Sequence, residues 1–133
     1  MTLVLDASAA LELVMARPER LSIATLLQRH DWVIAPSLFA YEVANALWKY
    51  HRLVKIKQRD LQERLLQAIA LVDELVPARD LYQDALRLAC EIESPAYDAA
   101  YLAAARRRKA AILSMDRRIT EAASRLGIRI AGI

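Results

Sequence analysis

The sequence predicts an α/β domain with a parallel sheet. Five short β-prone runs alternate with longer segments whose apolar residues recur every three or four positions, as in parallel strands joined by helices. A chain of 133 residues without a Pro-, Gly- or Ser-rich linker or an internal repeat fits one domain, so we predict that residues 1–133 fold together. Helices are expected to cover both faces of the sheet.

The first elements are a strand and two helices. The β-prone residues 2–5 stop at Asp6, and Ser8 is a candidate N-cap for the apolar-periodic helix over residues 9–15. Pro18 suits the first turn of a second helix, because its ring fixes a helical φ angle there. This helix is expected to end near residue 30.

A strand and two longer helices are predicted next. The strand over residues 32–35 ends where Pro36 interrupts it, and Ser37 can cap the helix that runs to about Tyr50. The helical spacing of apolar residues then predicts a helix over 57–73. The remaining elements are a strand at 75–76, helices over 79–92 and after the Ser94–Pro95 capping signal, a strand at 110–113, a helix over 120–126 ended by Gly127, and a strand at 128–130.

The composition excludes several classes of protein. Cys90 is the single cysteine, so neither an internal disulfide nor a cysteine-based zinc site can form. No apolar run approaches the roughly 18 residues of a membrane span, and residues 1–5 lack the basic segment that opens a signal peptide, so we expect a cytoplasmic protein. The 56% hydrophobic content suggests burial against a second copy, and the net charge of +3 permits a polyanionic partner.

Four acids fall where the strands and their following helices meet one edge of the sheet. Asp6 directly follows the first strand, and Asp116 follows the fourth within three residues. Asp98 lies in the first turn of a helix near that edge, and Glu42 lies about one helical turn after Pro36. Ligand sites of open α/β sheets form beyond the carboxyl ends of the strands, so the four carboxylates are expected to converge there.

These acids have apolar sequence neighbours, which a surface acid does not need. Two like charges within about 4 Å repel by roughly 4 kcal/mol at an effective dielectric near 20, so such a cluster requires a cation. Ligation by oxygen alone favours Mg²⁺ or Mn²⁺, which would activate water and stabilise the charge that develops on a phosphodiester, as in a nuclease. Taken singly, each acid also fits a structural role: Asp6 as a cap, Asp98 at a helix N-terminus, Asp116 in a turn and Glu42 on a solvated face.

Four short segments carry a family resemblance that covers nearly the whole chain. They are VLDASA at 4–9, APS at 35–37 followed by YEVANAL at 41–47, YDAAYLA at 97–103 and SMD at 114–116. Their order and spacing resemble the PIN-domain ribonucleases, and within them the VapC-type toxins of bacterial and archaeal toxin-antitoxin pairs. The resemblance implies a metal-dependent endoribonuclease, usually dimeric, that acts on RNA and is inhibited by a small cognate antitoxin.

The resemblance also implies a three-layer α/β/α sandwich with a five-stranded parallel sheet. Asp6, Glu42, Asp98 and Asp116 match the acidic ligands of the family. Ser114 and Asn45 are supporting candidates that could hydrogen-bond a ligating carboxylate or a water molecule, and Ser8 is a third, unless it only caps its helix.

One departure concerns the residues after Asp116. Some family members carry further acids there that help to hold a second metal, whereas this chain has Arg117 and Arg118. One firmly bound metal is therefore expected. These arginines, the basic run 106–109 and the basic residues between 49 and 57 are candidates for RNA phosphate contacts, or a solvated basic face.

Three other functions compete with this interpretation. A phosphatase with an aspartyl nucleophile, another Mg²⁺-dependent phosphoryl-transfer enzyme, predicts an acid two residues after Asp6, where the chain has Ser8. A phospho-acceptor receiver domain predicts a lysine after the last strand, and residues 128–133 contain none. A catalytically silent PIN-like interaction module would not need the four acids, and metal-dependent RNA cleavage would distinguish it.

Overall fold

A computed structural model describes residues 1–132 of the chain. The elements in chain order are β1 (Thr2–Leu5), α1 (Ala7–Val14), α2 (Arg20–Gln28), β2 (Trp32–Pro36), α3 (Leu38–Val54), α4 (Gln58–Ala70), β3 (Glu74–Val76), α5 (Ala78–Ile92), α6 (Ala96–Arg108), β4 (Ala111–Leu113) and α7 (Arg117–Arg125). The four strands form one sheet in which each neighbouring pair is parallel. The predicted α/β class with a parallel sheet is confirmed.

The interior of the sheet is built around β1. Strand order is β3-β2-β1-β4, and Val4 of β1 lies beside Ile34 on one side and Ile112 on the other. All three of these side chains are fully buried, and each contributes roughly 1.5–3 kcal/mol through removal of apolar surface from water. The carboxyl end of β1 is therefore fixed at the centre of the domain.

The order in which the chain adds strands to the sheet reverses at β1, although all the strands are parallel. The chain passes from β1 to β2 to β3 in one direction, and then returns through α5 and α6 to place β4 on the other side of β1. Because parallel crossovers are right-handed, we place the helices of the outward path and those of the return path on opposite faces. The boundary between β1 and β4 is the topological switch point, where ligand sites of α/β sheets form.

Helix α6 is unusually rich in small residues. Ala99, Ala100, Ala103, Ala104 and Ala105 are all buried, and α6 contacts β1, β2 and β4. Alanine is both the strongest helix former and small enough for close approach to the sheet. The helix runs antiparallel to β4, so its first turn, which contains Asp98, lies at the carboxyl edge of the sheet.

The five-strand prediction is wrong, because residues 128–130 do not form a fifth strand. Ile130 makes one isolated parallel bridge to Ile112, supported by hydrogen bonds of 2.9 Å from the Ile112 amide to Arg129 O and from the Ala131 amide to Ile112 O. Gly127 and Gly132 have φ angles of +71° and +88°, so the chain turns on both sides of this segment. The extended run between the two turns is too short for a ladder. Within residues 1–132, no helix is long and apolar enough to cross a bilayer.

Candidate active site

Asp6 lies at the switch point and is buried, with 4% of its surface exposed. Its amide donates to Leu113 O at 3.0 Å, which ties the end of β1 to the end of β4. Its carbonyl accepts hydrogen bonds from the Ala9 and Ala10 amides, so Asp6 also begins helix α1 as the N-cap residue. One residue thus joins the sheet, the first helix and the site.

Two serine hydroxyls hold the Asp6 carboxylate. Ser8 Oγ and Ser114 Oγ donate to Asp6 Oδ2 at 2.6 and 2.7 Å. Burial raises the pKa of Asp6 above its ordinary value of 3.8; the two hydroxyls offset part of this rise, and the charge of Asp116 adds to it. The prediction that Ser8 caps α1 is wrong, because Asp6 is the N-cap and Ser8 lies within the helix. Ser114 lies where the prediction places it, beside a candidate ligand.

Glu42 faces the same edge from α3 and is held by a tyrosine. Tyr101, three residues after Asp98 on α6, is 1% exposed and donates its hydroxyl to Glu42 Oε1 at 2.6 Å. Burial raises the pKa of Glu42, and the hydrogen bond from Tyr101 offsets part of the rise. The charges of Asp6, Asp98 and Asp116 raise it further.

Asp98 is the acid with the least satisfied oxygen. Its side chain is 13% exposed, and its Oδ2 is one of two buried polar side-chain atoms in residues 1–132 that have no hydrogen-bond partner. Burial raises the pKa of Asp98; Arg118 lowers it, and the charges of Asp116 and Asp6 raise it. Because a buried oxygen without a donor costs about 1–3 kcal/mol, this atom has a place for a cation or a donor from a ligand.

Asp116 differs from the other three acids because it forms a hydrogen-bonded ion pair with an arginine. It is the N-cap residue of α7, and its Oδ1 accepts from the Arg118 amide at 2.9 Å. The Arg118 guanidinium adds a bond of 3.1 Å from Nη2 to Oδ2. These side-chain hydrogen bonds hold the pKa of Asp116 below its ordinary value. Asp116 is therefore the acid most firmly charged and least available to other partners.

The donor set fits a hard divalent cation. Carboxylate oxygens are the ligands that Mg²⁺ and Mn²⁺ prefer, and Asp98 contributes a buried oxygen without a donor. Across the described residues, however, no three Asp, Glu, His or Cys side chains already stand close enough together to hold one ion. Binding would require the carboxylates to turn toward one another, and the role of the four acids as ligands stays a prediction.

The remaining candidates, Asn45 and the basic run 106–109, form no hydrogen bond or ion pair with the four acids in the described residues. Asn45 is exposed on α3, one turn after Glu42, and does not join the hydrogen bonds around Asp6. The basic run 106–109 lies at the opposite end of α6 from Asp98, roughly 15 Å away at 1.5 Å per residue. In this run Arg107 donates to Asp80 O, and Arg108 forms an ion pair with Glu74.

Two residues contact the acids in ways that the sequence analysis does not predict. The sequence gives Tyr101 no function beyond its helical position, although the hydroxyl of a buried tyrosine usually needs a polar partner. Arg118 is predicted to be an RNA contact or part of a solvated basic face, whereas its guanidinium faces Asp116 and Asp98. Its position two residues after an N-cap acid is the signal that could have indicated this pairing.

The fold and the site together define the class of protein: an α/β domain that gathers carboxylates at the switch point of a parallel sheet. The chain belongs to the PIN domain family, whose model matches residues 3–124. The family resemblance predicted from the four sequence segments is therefore confirmed.

Two proteins of Pyrobaculum aerophilum are similar to this chain. Ribonuclease VapC3 is 29% identical over 123 residues, which are 91% of this chain and 94% of the relative, and it supports the VapC-type assignment. The crystal structure of PAE2754 has a TM-score of 0.71 at 23% identity and is matched over 92% of this chain and 79% of its own. The second likeness supports the fold alone.

Proposed function

We propose that this chain is a metal-dependent endoribonuclease and the toxin of a type II toxin-antitoxin pair. The observation that carries the proposal is that Asp6, Glu42 and Asp98 lie on three different elements near the carboxyl edge of the sheet, and that burial and neighbouring acids raise the pKa of each. Carboxylates that resist ionisation without a cation are a marker of functional sites. The likeness to a protein named Ribonuclease VapC3 supports RNA as the substrate.

Asp6, Glu42 and Asp98 would hold Mg²⁺ or Mn²⁺, and Asp116 would assist directly or through water. The ion would supply a water molecule of lowered pKa and stabilise negative charge on the phosphodiester. The chain's own residues fix the geometry: Ser8 and Ser114 orient Asp6, and Tyr101 orients Glu42. Such hydrogen bonds to ligating carboxylates set both ligand orientation and affinity.

We also propose a single domain over residues 1–133 that forms a homodimer and binds a cognate antitoxin. Large apolar side chains exposed on the outer helices support a protein partner, among them Tyr41, Tyr82, Leu86 and Tyr97. Light scattering of the purified chain would measure its oligomeric state, and a monomer at micromolar concentration would contradict the homodimer.

RNA cleavage by the purified protein tests the nuclease. Asp6→Asn and Asp98→Asn are expected to lower the cleavage rate at least about a hundredfold, because each removes a charge from the metal site. Asp60→Asn is the matched control, since Asp60 is exposed on α4 away from the site. Chelation with EDTA should stop cleavage and Mn²⁺ should restore it. If the Asp6 and Asp98 variants cut RNA as fast as the parent protein, the proposal is wrong.

A further inference from the structure

Arg118 turns back from helix α7 toward two of the four acids. Its Nη2 lies 3.1 Å from Asp116 Oδ2 and 3.8 Å from Asp98 Oδ2, although the side chain is 72% exposed. Among residues 1–132, every ion pair that includes one of the four acids involves Arg118. A single guanidinium therefore links the acid at the start of α6 to the acid at the start of α7.

The neighbouring arginine behaves differently. Arg117 is 90% exposed and pairs along the surface of α7 with Glu121 at 3.4 Å, one helical turn away. Such i,i+4 pairs are common on helix surfaces and contribute little. The two arginines are adjacent and carry the same charge, but Arg118 is the one that contacts the site.

The contact between Arg118 and Asp98 is long enough for another cation to replace Arg118. At 3.8 Å the Arg118 nitrogen attracts Asp98 Oδ2 electrostatically but does not hydrogen-bond it, and this oxygen accepts no hydrogen bond anywhere in the described part of the chain. A divalent cation would give the same oxygen a direct bond and twice the charge. Both cations cannot occupy the space in front of this oxygen together.

We propose that Arg118 is an internal counter-cation that competes with the divalent metal for Asp98 and Asp116 and so lowers the metal affinity of the site. This inference rests on the proposed metal-dependent function. Asp116 accepts three hydrogen bonds from Arg118, two of them from the guanidinium. Metal binding then requires the guanidinium to leave Asp98, and its exposed position allows it to move into solvent.

Mn²⁺ titration of the metal-free protein by calorimetry tests the competition. Arg118→Gln is expected to bind Mn²⁺ about two- to fivefold more tightly than the parent. This factor corresponds to the free energy of an exposed ion pair. Arg117→Gln removes the same charge from the adjacent position, so it controls for the general electrostatic field and should stay within about 1.5-fold of the parent. Arg118→Lys keeps the charge without the planar fork and should bind with intermediate affinity.

Four results separate the possibilities. Equal or weaker Mn²⁺ binding by Arg118→Gln, with normal binding by the parent, overturns the competition and leaves the metal site standing. Unchanged Mn²⁺ affinity with weaker binding of a non-cleavable 2′-O-methyl RNA also overturns it and makes Arg118 a substrate contact. No Mn²⁺ binding by any correctly folded variant overturns both proposals. Tighter Mn²⁺ binding by Arg118→Gln without RNA cleavage by any variant supports the competition and contradicts the nuclease.

Discussion

Replacing Tyr101 by phenylalanine removes one hydroxyl from the interior and tests how Glu42 is held. The hydroxyl donates to Glu42 Oε1 at 2.6 Å, and the ring is 1% exposed, so phenylalanine keeps the packing and loses only the hydrogen bond. Hydrogen bonds to charged groups contribute about 1.5–3 kcal/mol, and because half-buried Glu42 can recruit water, we expect a loss of about 1–2 kcal/mol of unfolding free energy. Urea denaturation at pH 7 measures it.

Tyr50→Phe is the matched control for this substitution. The Tyr50 hydroxyl is buried and, within residues 1–132, has no hydrogen-bond partner, so its removal relieves a desolvation cost. Phenylalanine keeps the ring that Arg17 covers at 5.4 Å. We expect Tyr50→Phe to be neutral or to stabilise by up to about 1 kcal/mol. If Tyr101→Phe is as stable as the parent, or if both variants lose the same free energy, the assigned hydrogen bond does not stabilise the fold.

Two further predictions concern the charge at the site and the packing of α6. Burial raises the folded-state pKa of Asp6 above its ordinary value of 3.8, so its stabilising contribution is complete below that pH and is lost as the pH rises through the folded-state pKa. Asp6→Asn should therefore melt at a higher temperature than the parent at pH 7 without metal, and this advantage should shrink on acidification; a lower melting temperature at pH 7 would contradict the raised pKa. Ala104→Leu should cost about 1–3 kcal/mol in urea unfolding because Ala104 is fully buried, whereas Ala96→Leu, at the exposed start of α6, should change stability by less than about 0.5 kcal/mol. Equal effects of the two leucines would refute the close approach of α6 to the sheet.

Much of the fold could be predicted because local signals agreed with the tertiary structure. The alternation of β-prone and helical runs predicts four strands that the structure contains, and Gly127 ends α7 in the left-handed conformation that glycine adopts easily. The prediction of a fifth strand failed because a β-prone run such as 128–130 becomes a strand only if neighbouring backbone pairs with it over several residues. Pairing length is a tertiary property, and here it stops at one bridge.

The candidate site was predictable to the extent that it follows from chain order. Asp6 and Asp98 lie at the ends of elements whose positions the sheet topology fixes, so their placement at one edge could be expected. Ser8, two residues after Asp6, and Ser114 are partners that the sequence predicts. The hydrogen bond from Tyr101 to Glu42 could not be predicted in the same way, because it joins two helices across 59 residues of the chain. Which side chain meets which depends on helix rotation, and sequence periodicity determines that rotation only roughly.

The placement of these acids at a buried edge costs folding stability because it keeps negative charges close together. In Asp6, Glu42 and Asp98 burial disfavours the charged form. Ser8 and Ser114 offset this for Asp6, and Tyr101 offsets it for Glu42, whereas Asp98 has only the charge of Arg118. Neutral donors cannot remove net charge, and the guanidinium of Arg118, which alone among residues 1–132 forms an ion pair with these acids, balances about one of the four carboxylates. The ionised site therefore keeps excess negative charge at a buried sheet edge, where its cost is highest. A divalent cation would offset this charge without a further side chain, and this is the physical basis of the proposed metal site.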